Sequence, residues 1–281
     1  MKTEYSSSVS PEPIVTVLMS VYNGKRFVAK AIDSIANQTY ENFEFIIIDD
    51  GSTDNTPEIL KKYTENDNRI RIIKQKNQGL TRSLNRGASL AQGMFIARQD
   101  ADDISMPERL ERQVRYLMDN PDTVVVGSCA GPISGEDTVF NLVKDGIREG
   151  AVRVDISMQN FLPHSSAMFR KDIFEKCRGY NESFKVSQDF ELWNRMSGFG
   201  NVDVLNEILV KRRTDSSGIS RKKILKQMDA AARIRWKYRK YNEFYTIILI
   251  VFYGLRHVVA ALSSIKIVGM GYKIWKDSSS V

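Results

Sequence analysis

Cysteine and histidine are scarce: the chain carries two of each, Cys129 and Cys177, His164 and His257. The cysteines stand far apart, with no CxxC pair and no histidine cluster beside them, which excludes a disulfide framework and a zinc ribbon. Residues 1–13 hold no apolar stretch of the secretory-leader kind, so a cytosolic address is expected. No internal repeat is present, and only the ends are serine-rich. The turn after the first apolar run reads Ser20-Val21-Tyr22-Asn23-Gly24-Lys25. It has neither GxGxxG nor GxxxxGK[ST], so no glycine cradle for phosphate is expected. What is present suits a packed core. Apolar residues make up 42% of 281, with 17 glycines besides, which fits one large domain plus an appendage, or two small domains.

The net charge of +7 is unevenly distributed. Residues 1–204 hold 25 Lys and Arg against 29 Asp and Glu, whereas residues 205–281 hold 16 against 5. A basic tail thus follows a mildly acidic body. Such tails meet phosphate, of nucleic acid or of an anionic membrane surface, or form a solvated helical face.

Strand-like and helix-like segments alternate over the first 120 residues. Val15 to Val21 is a continuous apolar run, after which Phe27, Val28, Ala31, Ile32 and Ile35 recur at helical spacing. Phe43 to Ile48 is a second run, followed by a helix with Thr56 as cap and Pro57 at its first position. Ile70 to Ile73 predicts a strand, Leu80 to Leu90 a helix closed by Gly93, and Met94 to Arg98 a strand. Pro107 opens a helix with Leu110, Val114, Leu117 and Met118 on one face, and Val124 to Gly127 is strand-like. Strict alternation implies a parallel sheet with helices on both faces, whose ligands sit beyond the carboxyl ends of the strands. Gly131 to Gly150 reads as a loop or inserted hairpin. His164 to Phe169 reads as a strand, and Lys171 to Lys176 and Gln188 to Met196 as helices.

Two strand ends carry acid clusters. One is Asp49-Asp50-Gly51-Ser52-Thr53-Asp54, the other Asp100-Ala101-Asp102-Asp103. Capping accounts for a single aspartate; it does not account for three carboxylates in four residues, which repel one another unless a cation sits among them. Mg²⁺ and Mn²⁺ are the natural partners, since they take few protein carboxylates and share substrate phosphates. A metal holding a diphosphate is therefore expected.

Taken in order, Val15-Thr16-Val17-Leu18-Met19-Ser20-Val21-Tyr22-Asn23, Ile48 to Asp54, Asn77-Gln78-Gly79-Leu80, Asp100 to Asp103 with Pro107 and Arg109, and Gln188-Asp189-Phe190-Glu191-Leu192-Trp193 resemble the successive motifs of glycosyltransferase family 2. The resemblance covers roughly residues 14 to 220. It implies an α/β fold of the GT-A nucleotide-diphospho-sugar transferase type, with a mostly parallel central sheet and helices on both faces, and an inverting transfer. By position it implies that Ser20 and Asp50 contact the nucleoside, with Asp50 accepting from the base's imide N–H. Asp100 would lie near the ribose, Asp102 would bind the metal (Mn²⁺ or Mg²⁺), and Asp189 would be the catalytic base. Arg82 matches a basic position facing the nucleotide. His164, in Pro163-His164-Ser165-Ser166, is equally a structural or an acceptor-site histidine, and Trp193 is expected in the core. After the helix of Asp189 the family often shows Tyr-Arg-x-His; here Arg213 matches the arginine, but Asp215 stands where the histidine would be. Asp215 could ligate the metal or lie in a solvated loop.

Tyr245 to Leu255 is an apolar run of eleven residues, cut by Arg256 and His257. That falls short of the roughly 20 residues a spanning helix needs. Arg221 to Lys240 places nine basic residues around Trp236 and Tyr238. The expected division is a tail (1–13), a GT-A domain (14–220) and a basic amphipathic helical extension (221–281). The extension would lie on an anionic membrane surface, or pack on the catalytic domain or another subunit of a homo-oligomer. The expected activity is sugar transfer from a nucleotide-sugar donor, UDP-linked, to a glycan or lipid-linked acceptor in surface-polysaccharide assembly, at the inner face of the cell membrane and with no nucleic-acid partner. The alternatives are sugar-phosphate nucleotidyl transfer, which usually shows a glycine-rich signature after the first strand, and a catalytically silent membrane-associated interaction protein.

Overall fold

The computed structural model describes residues 14–133, 150–157, 160, 162–213 and 224–238. The chain divides into two compact units, Met1–Ser216 and Ser217–Val281.

In the first unit, β1 (Val15–Val21), β2 (Phe43–Asp49), β3 (Ile70–Lys74) and β4 (Phe95–Asp100) form a parallel sheet in the order β3-β2-β1-β4. β1 and β2 are apolar nearly throughout because both their faces are covered, as in parallel sheets generally. α1 (Val28–Ala36), α2 (Thr56–Asn66) and α4 (Arg109–Asp119) contribute Val28, Ile32, Leu60, Leu110 and Leu117 to one core with Val17, Met19, Phe45 and Ile47. α3 (Leu80–Ser89) covers the opposite face, where Gly87 lies directly against Leu18 and Ile48.

Beyond β4 the sheet is mixed, which the alternation of the first 120 residues does not show. After the two-residue β5 (Ile104–Ser105) come β6 (Thr123–Pro132), β7 (Ala151–Arg153), β8 (Met168–Arg170) and β9 (Asn201–Arg212). β8 is antiparallel to both β4 and β6, β6 is parallel to β9, and β5 and β7 are antiparallel to β9. α5 (Lys171–Lys176) and α6 (Gln188–Met196) stand where the periodicity puts them.

Four local expectations are corrected. Thr56 does not cap α2; its hydroxyl bonds Asp54 Oδ1 at 2.5 Å and accepts from Gly24 N at 2.9 Å, tying the loop after β1 to the loop after β2. Gly93 does not close α3. It lets the chain approach β1 so closely that a Cβ there would lie 2.4 Å from Thr16 N. Met118 turns to solvent, 49% exposed. His164–Ser166 is a single 3-10 turn, and the strand begins at Met168. Of the predicted loop, residues 134–149 lie outside the described residues, as do 1–13, Asp215 and the run Tyr245 to Leu255.

Within the second unit, α7 (Ile224–Tyr238) carries Lys226, Arg233, Arg235 and Lys237 with Asp229, and Trp236 is exposed. Among the described residues no helix is long and apolar enough to cross a membrane.

Candidate active site

The strand register brings the two acid corners together. Ser20 on β1 is the neighbour of Asp100 on β4, and Val21 that of Asp49 on β2. The sheet order reverses at β1, flanked by β2 and β4, and a crevice at the carboxyl ends of such strands is where open α/β sheets bind ligands.

In the first corner, Gly51 adopts φ +80°, and a Cβ there would stand 2.8 Å from Asn77 N. Glycine meets both demands. Asn23, at φ 53°, accepts at Oδ1 from Thr53 N at 2.8 Å, pinning the β1 loop to the β2 loop. Asp49 accepts from Ser52 N at 3.0 Å. Asp50 is buried, with Oδ1 accepting from Gln75 Nε2 (2.6 Å) and Gln78 N (2.9 Å) and Oδ2 from Gly79 N (2.8 Å). A carboxylate has about four lone-pair positions; three are used here, and one on Oδ2 is left for a further donor.

In the second corner the three acids differ. Asp100 is bonded by the fully buried Arg98 at 2.5 Å. Burial acts to raise its pKa, but the Arg98 guanidinium, helped by His164 and Arg212, outweighs burial and holds it low. Asp102 is the exposed member. Desolvation and the neighbouring Asp100 charge raise its pKa, against Arg213 and Arg212. Asp103 is buried and pushed up to about 7 by burial and then by Asp100, while accepting from Ser165 Oγ (2.5 Å) and Arg213 N (2.9 Å).

Asp189 lies in the first turn of α6, after Ser187 in a left-handed conformation. Asn160 Nδ2 donates to its Oδ2 at 2.8 Å. His164 Nε2 bonds Tyr180 Oη at 2.8 Å. Burial, then Arg98, lowers the His164 pKa to about 4 against the pull of Asp189 and Asp100, so the ring is neutral at pH 7. Burial likewise raises that of Tyr180, with Arg98, Asp189 and Asp100 all within electrostatic reach. Arg98, Asp189 and Asp100 thus all act electrostatically on both His164 and Tyr180. Trp193 is in the core.

Arg82 is exposed and pairs with Glu182 at 2.9 Å. Asn85 beside it exchanges hydrogen bonds with the Tyr180 backbone at 2.9 and 2.8 Å, so α3 anchors the segment leading to α6. Arg213 stacks its guanidinium on Phe27 at 3.8 Å, with a buried Nε that has no hydrogen-bond partner among the described residues. Sequence reasoning missed Arg98, Gln99, Asn160 and Tyr180. The signal for Arg98 and Gln99 was there: a cation and an amide in a strand that is otherwise buried.

No group of three or more His, Cys, Asp or Glu side chains among the described residues is arranged to hold an ion alone. One exposed carboxylate, Asp102, with like charges beside it still suits an ion shared with phosphate, because Mg²⁺ and Mn²⁺ complete their shells with substrate oxygens and water. The donor set thus fits a divalent metal bound jointly with a diphosphate, and does not form an all-protein cage.

The fold, with its two acid corners at adjacent strand ends, is that of a GT-A-type transferase. The chain belongs to glycosyl transferase family 2, whose pattern matches residues 16–178. It is 35% identical to the O-antigen biosynthesis glycosyltransferase WbnJ of Escherichia coli, over 65% of this chain and 71% of that one. Among solved structures, Staphylococcus aureus TarS 1-349 in complex with UDP superposes with a TM-score of 0.66 at 17% identity, over 86% of this chain and 71% of that one. The Pyrobaculum calidifontis mannosyltransferase PcManGT in complex with GDP-Man and Mn²⁺ gives 0.64 at 16%, over 83% and 66%. At these identities the structures share the fold alone.

Proposed function

We propose that this glycosyltransferase is inverting and metal-dependent, moving a sugar from a UDP-linked donor to a glycan or lipid-linked acceptor in surface-polysaccharide assembly. The observation that carries the reading is the register: Ser20 pairs with Asp100 on one side and Ile48 on the other, with Asp50 two residues after Ile48, at the reversal of strand order. WbnJ, named for O-antigen biosynthesis, supports the pathway class. TarS with UDP and PcManGT with GDP-Man and Mn²⁺ support the donor class.

In this reading Asp50 offers its remaining Oδ2 position to the base's N–H, Ser20 and Asp100 receive the nucleoside, and Arg82 and Arg213 face the nucleotide. A divalent ion at Asp102, when bound, supplies positive charge to the departing diphosphate. Asp189 takes the proton of the acceptor hydroxyl as that oxygen attacks the sugar carbon from the face opposite the leaving group. Asn160 holds Oδ2, which leaves Oδ1 to receive the proton. Neutral His164 acts on the acceptor side as a hydrogen-bonding group.

The test is a thermal-shift panel of nucleoside diphosphates with and without Mn²⁺. UDP with Mn²⁺ at about 100 times its Kd is expected to add roughly 2.7 kcal/mol, a Tm rise of about 5–10 °C. GDP and CDP should shift it less. No shift with any nucleoside diphosphate, metal present or not, sinks the reading.

For the extension (221–281) beyond the GT-A domain (14–220) we propose contact with anionic lipid, supported by the basic residues of α7 and its exposed Trp236. Full-length protein should sediment with anionic vesicles at low salt and be released by about 0.5 M NaCl. Failure to sediment at low salt removes the membrane from the account.

A further inference from the structure

Beneath the acid turn lies a buried polar network centred on Arg109 and Gln99. Arg109, the first residue of α4, has no exposed surface, and its five N–H groups all go to neutral acceptors. Nε donates to Gln113 Oε1 (3.1 Å), Nη1 to Gln99 Oε1 (3.1 Å) and Ser105 Oγ (2.9 Å), and Nη2 to Arg98 O (2.7 Å) and Ala167 O (3.4 Å). Gln99 is equally buried and equally used. Its Nε2 donates to Asp100 O (3.0 Å) and Asp103 O (2.9 Å), spanning the turn, while its Oε1 also accepts from Ser105 Oγ (2.7 Å). Gln113 Nε2 extends the network to Ser166 O at 2.7 Å, in the 3-10 turn that carries His164.

A buried guanidinium with no carboxylate bonded to it is costly to keep. Burial, then the nearby Arg98, lowers the Arg109 pKa to about 9. A fully satisfied network returns rigidity for that cost. Here it fixes both ends of a four-residue turn whose own carboxylates push it apart. It also places a second buried cation, after Arg98, within electrostatic reach of Asp100 and Asp103.

We propose that Arg109, acting through Gln99, is a positioning residue: the pair forms a charged bracket that shapes the Asp100–Asp103 turn for a divalent ion and diphosphate before either arrives, and locks that turn to the segment bearing His164. The ligand half of this statement rests on the function proposed above; the structural half does not.

The experiment uses the full chain with Arg109→Lys, which keeps the charge and loses most of the fork, and Gln99→Met, which keeps the volume and removes only the link. Thr123→Val, which breaks a buried 2.6 Å bond to Asp203 outside the bracket, is the stability control. Without ligand, amide hydrogen exchange over residues 100–105 is expected to rise about tenfold or more in both bracket variants. Mn²⁺ affinity in the presence of UDP, read by electron paramagnetic resonance, should weaken about 10- to 100-fold. The control should change neither at a comparable loss of Tm. Unchanged exchange in folded variants, or equal loosening of the turn in the control, overturns the proposal. If Arg109→Lys does not fold, Gln99→Met decides alone. If wild type itself binds no Mn²⁺ with UDP, the proposed function fails, while the exchange readout still decides the bracket.

Discussion

Asp189→Asn is expected to lower kcat by about 10²–10⁴, the usual contribution of a general base, while leaving the Kd for UDP with Mn²⁺ within about threefold of wild type. The geometry separates the two effects. Asp189 belongs to α6 and is held by Asn160, whereas the acid corners proposed to take the nucleotide stand at the ends of β1, β2 and β4. An asparagine has the same shape, and its carbonyl oxygen can accept from Asn160 Nδ2 in place of the carboxylate, so the helix start should survive. What the amide lacks is a site for the acceptor's proton. Steady-state kinetics with acceptor, alongside calorimetry with UDP, make the measurement. Transfer at the wild-type rate would remove Asp189 as base, and nucleotide affinity lost in parallel would place it in the donor site instead.

How much of this was legible in the sequence depends on what each segment buries. β1 and β2 are covered on both faces, so they read as unbroken apolar runs, and the acids at their ends stand out against them. β9 is not legible in the sequence because the buried run of Asn201–Arg212 is broken by exposed Glu207 and Ile208 and shows no period of two. Its pairing with β6 also shifts register three times, at bulges that a period-two pattern does not follow. The turn at His164–Ser166 looks strand-like in the sequence because Ala167, Met168 and Phe169 continue its buried character. The buried serines there serve hydrogen bonds to Asp103 and to Pro163 O.

Buried polar groups were the least legible part. On α4, Arg109 and Gln113 stand four apart, and periodicity would assign them to a solvated face. Both have no exposed surface. The same holds for Arg98 in β4, whose Nε has no hydrogen-bond partner among the described residues. The sequence pattern sorts residues by hydrophobicity, whereas these are placed by hydrogen-bond geometry, which only the assembled neighbours supply. Asp50 shows the reverse: its motif pointed to nucleotide contact, yet most of its capacity is taken by Gln75, Gln78 and Gly79 of its own chain.

Asp102→Asn should move stability and activity in opposite directions. In the free protein the Asp102 charge is unwelcome, because partial desolvation and the Asp100 carboxylate both disfavour it and raise its pKa. A group whose folded pKa is raised favours the fold below its unfolded value and loses that advantage as pH rises through the folded one. At neutral pH, neutralising it should therefore raise the Tm of metal-free protein. Transfer in Mn²⁺ should fall by about 10²–10⁴, the several kcal/mol of charge stabilisation a divalent ion supplies, and added metal should no longer raise the Tm in the presence of UDP. Asp100→Asn should behave differently although it lies two residues away. Its carboxylate is paired with Arg98, and removing it strands a buried guanidinium, so Tm should fall as activity falls. Scanning calorimetry with chelator, beside transfer assays, distinguishes the two acids. A lower Tm for metal-free Asp102→Asn, with activity retained in Mn²⁺, would mean that Asp102 supports the fold and that the ion, if there is one, binds elsewhere.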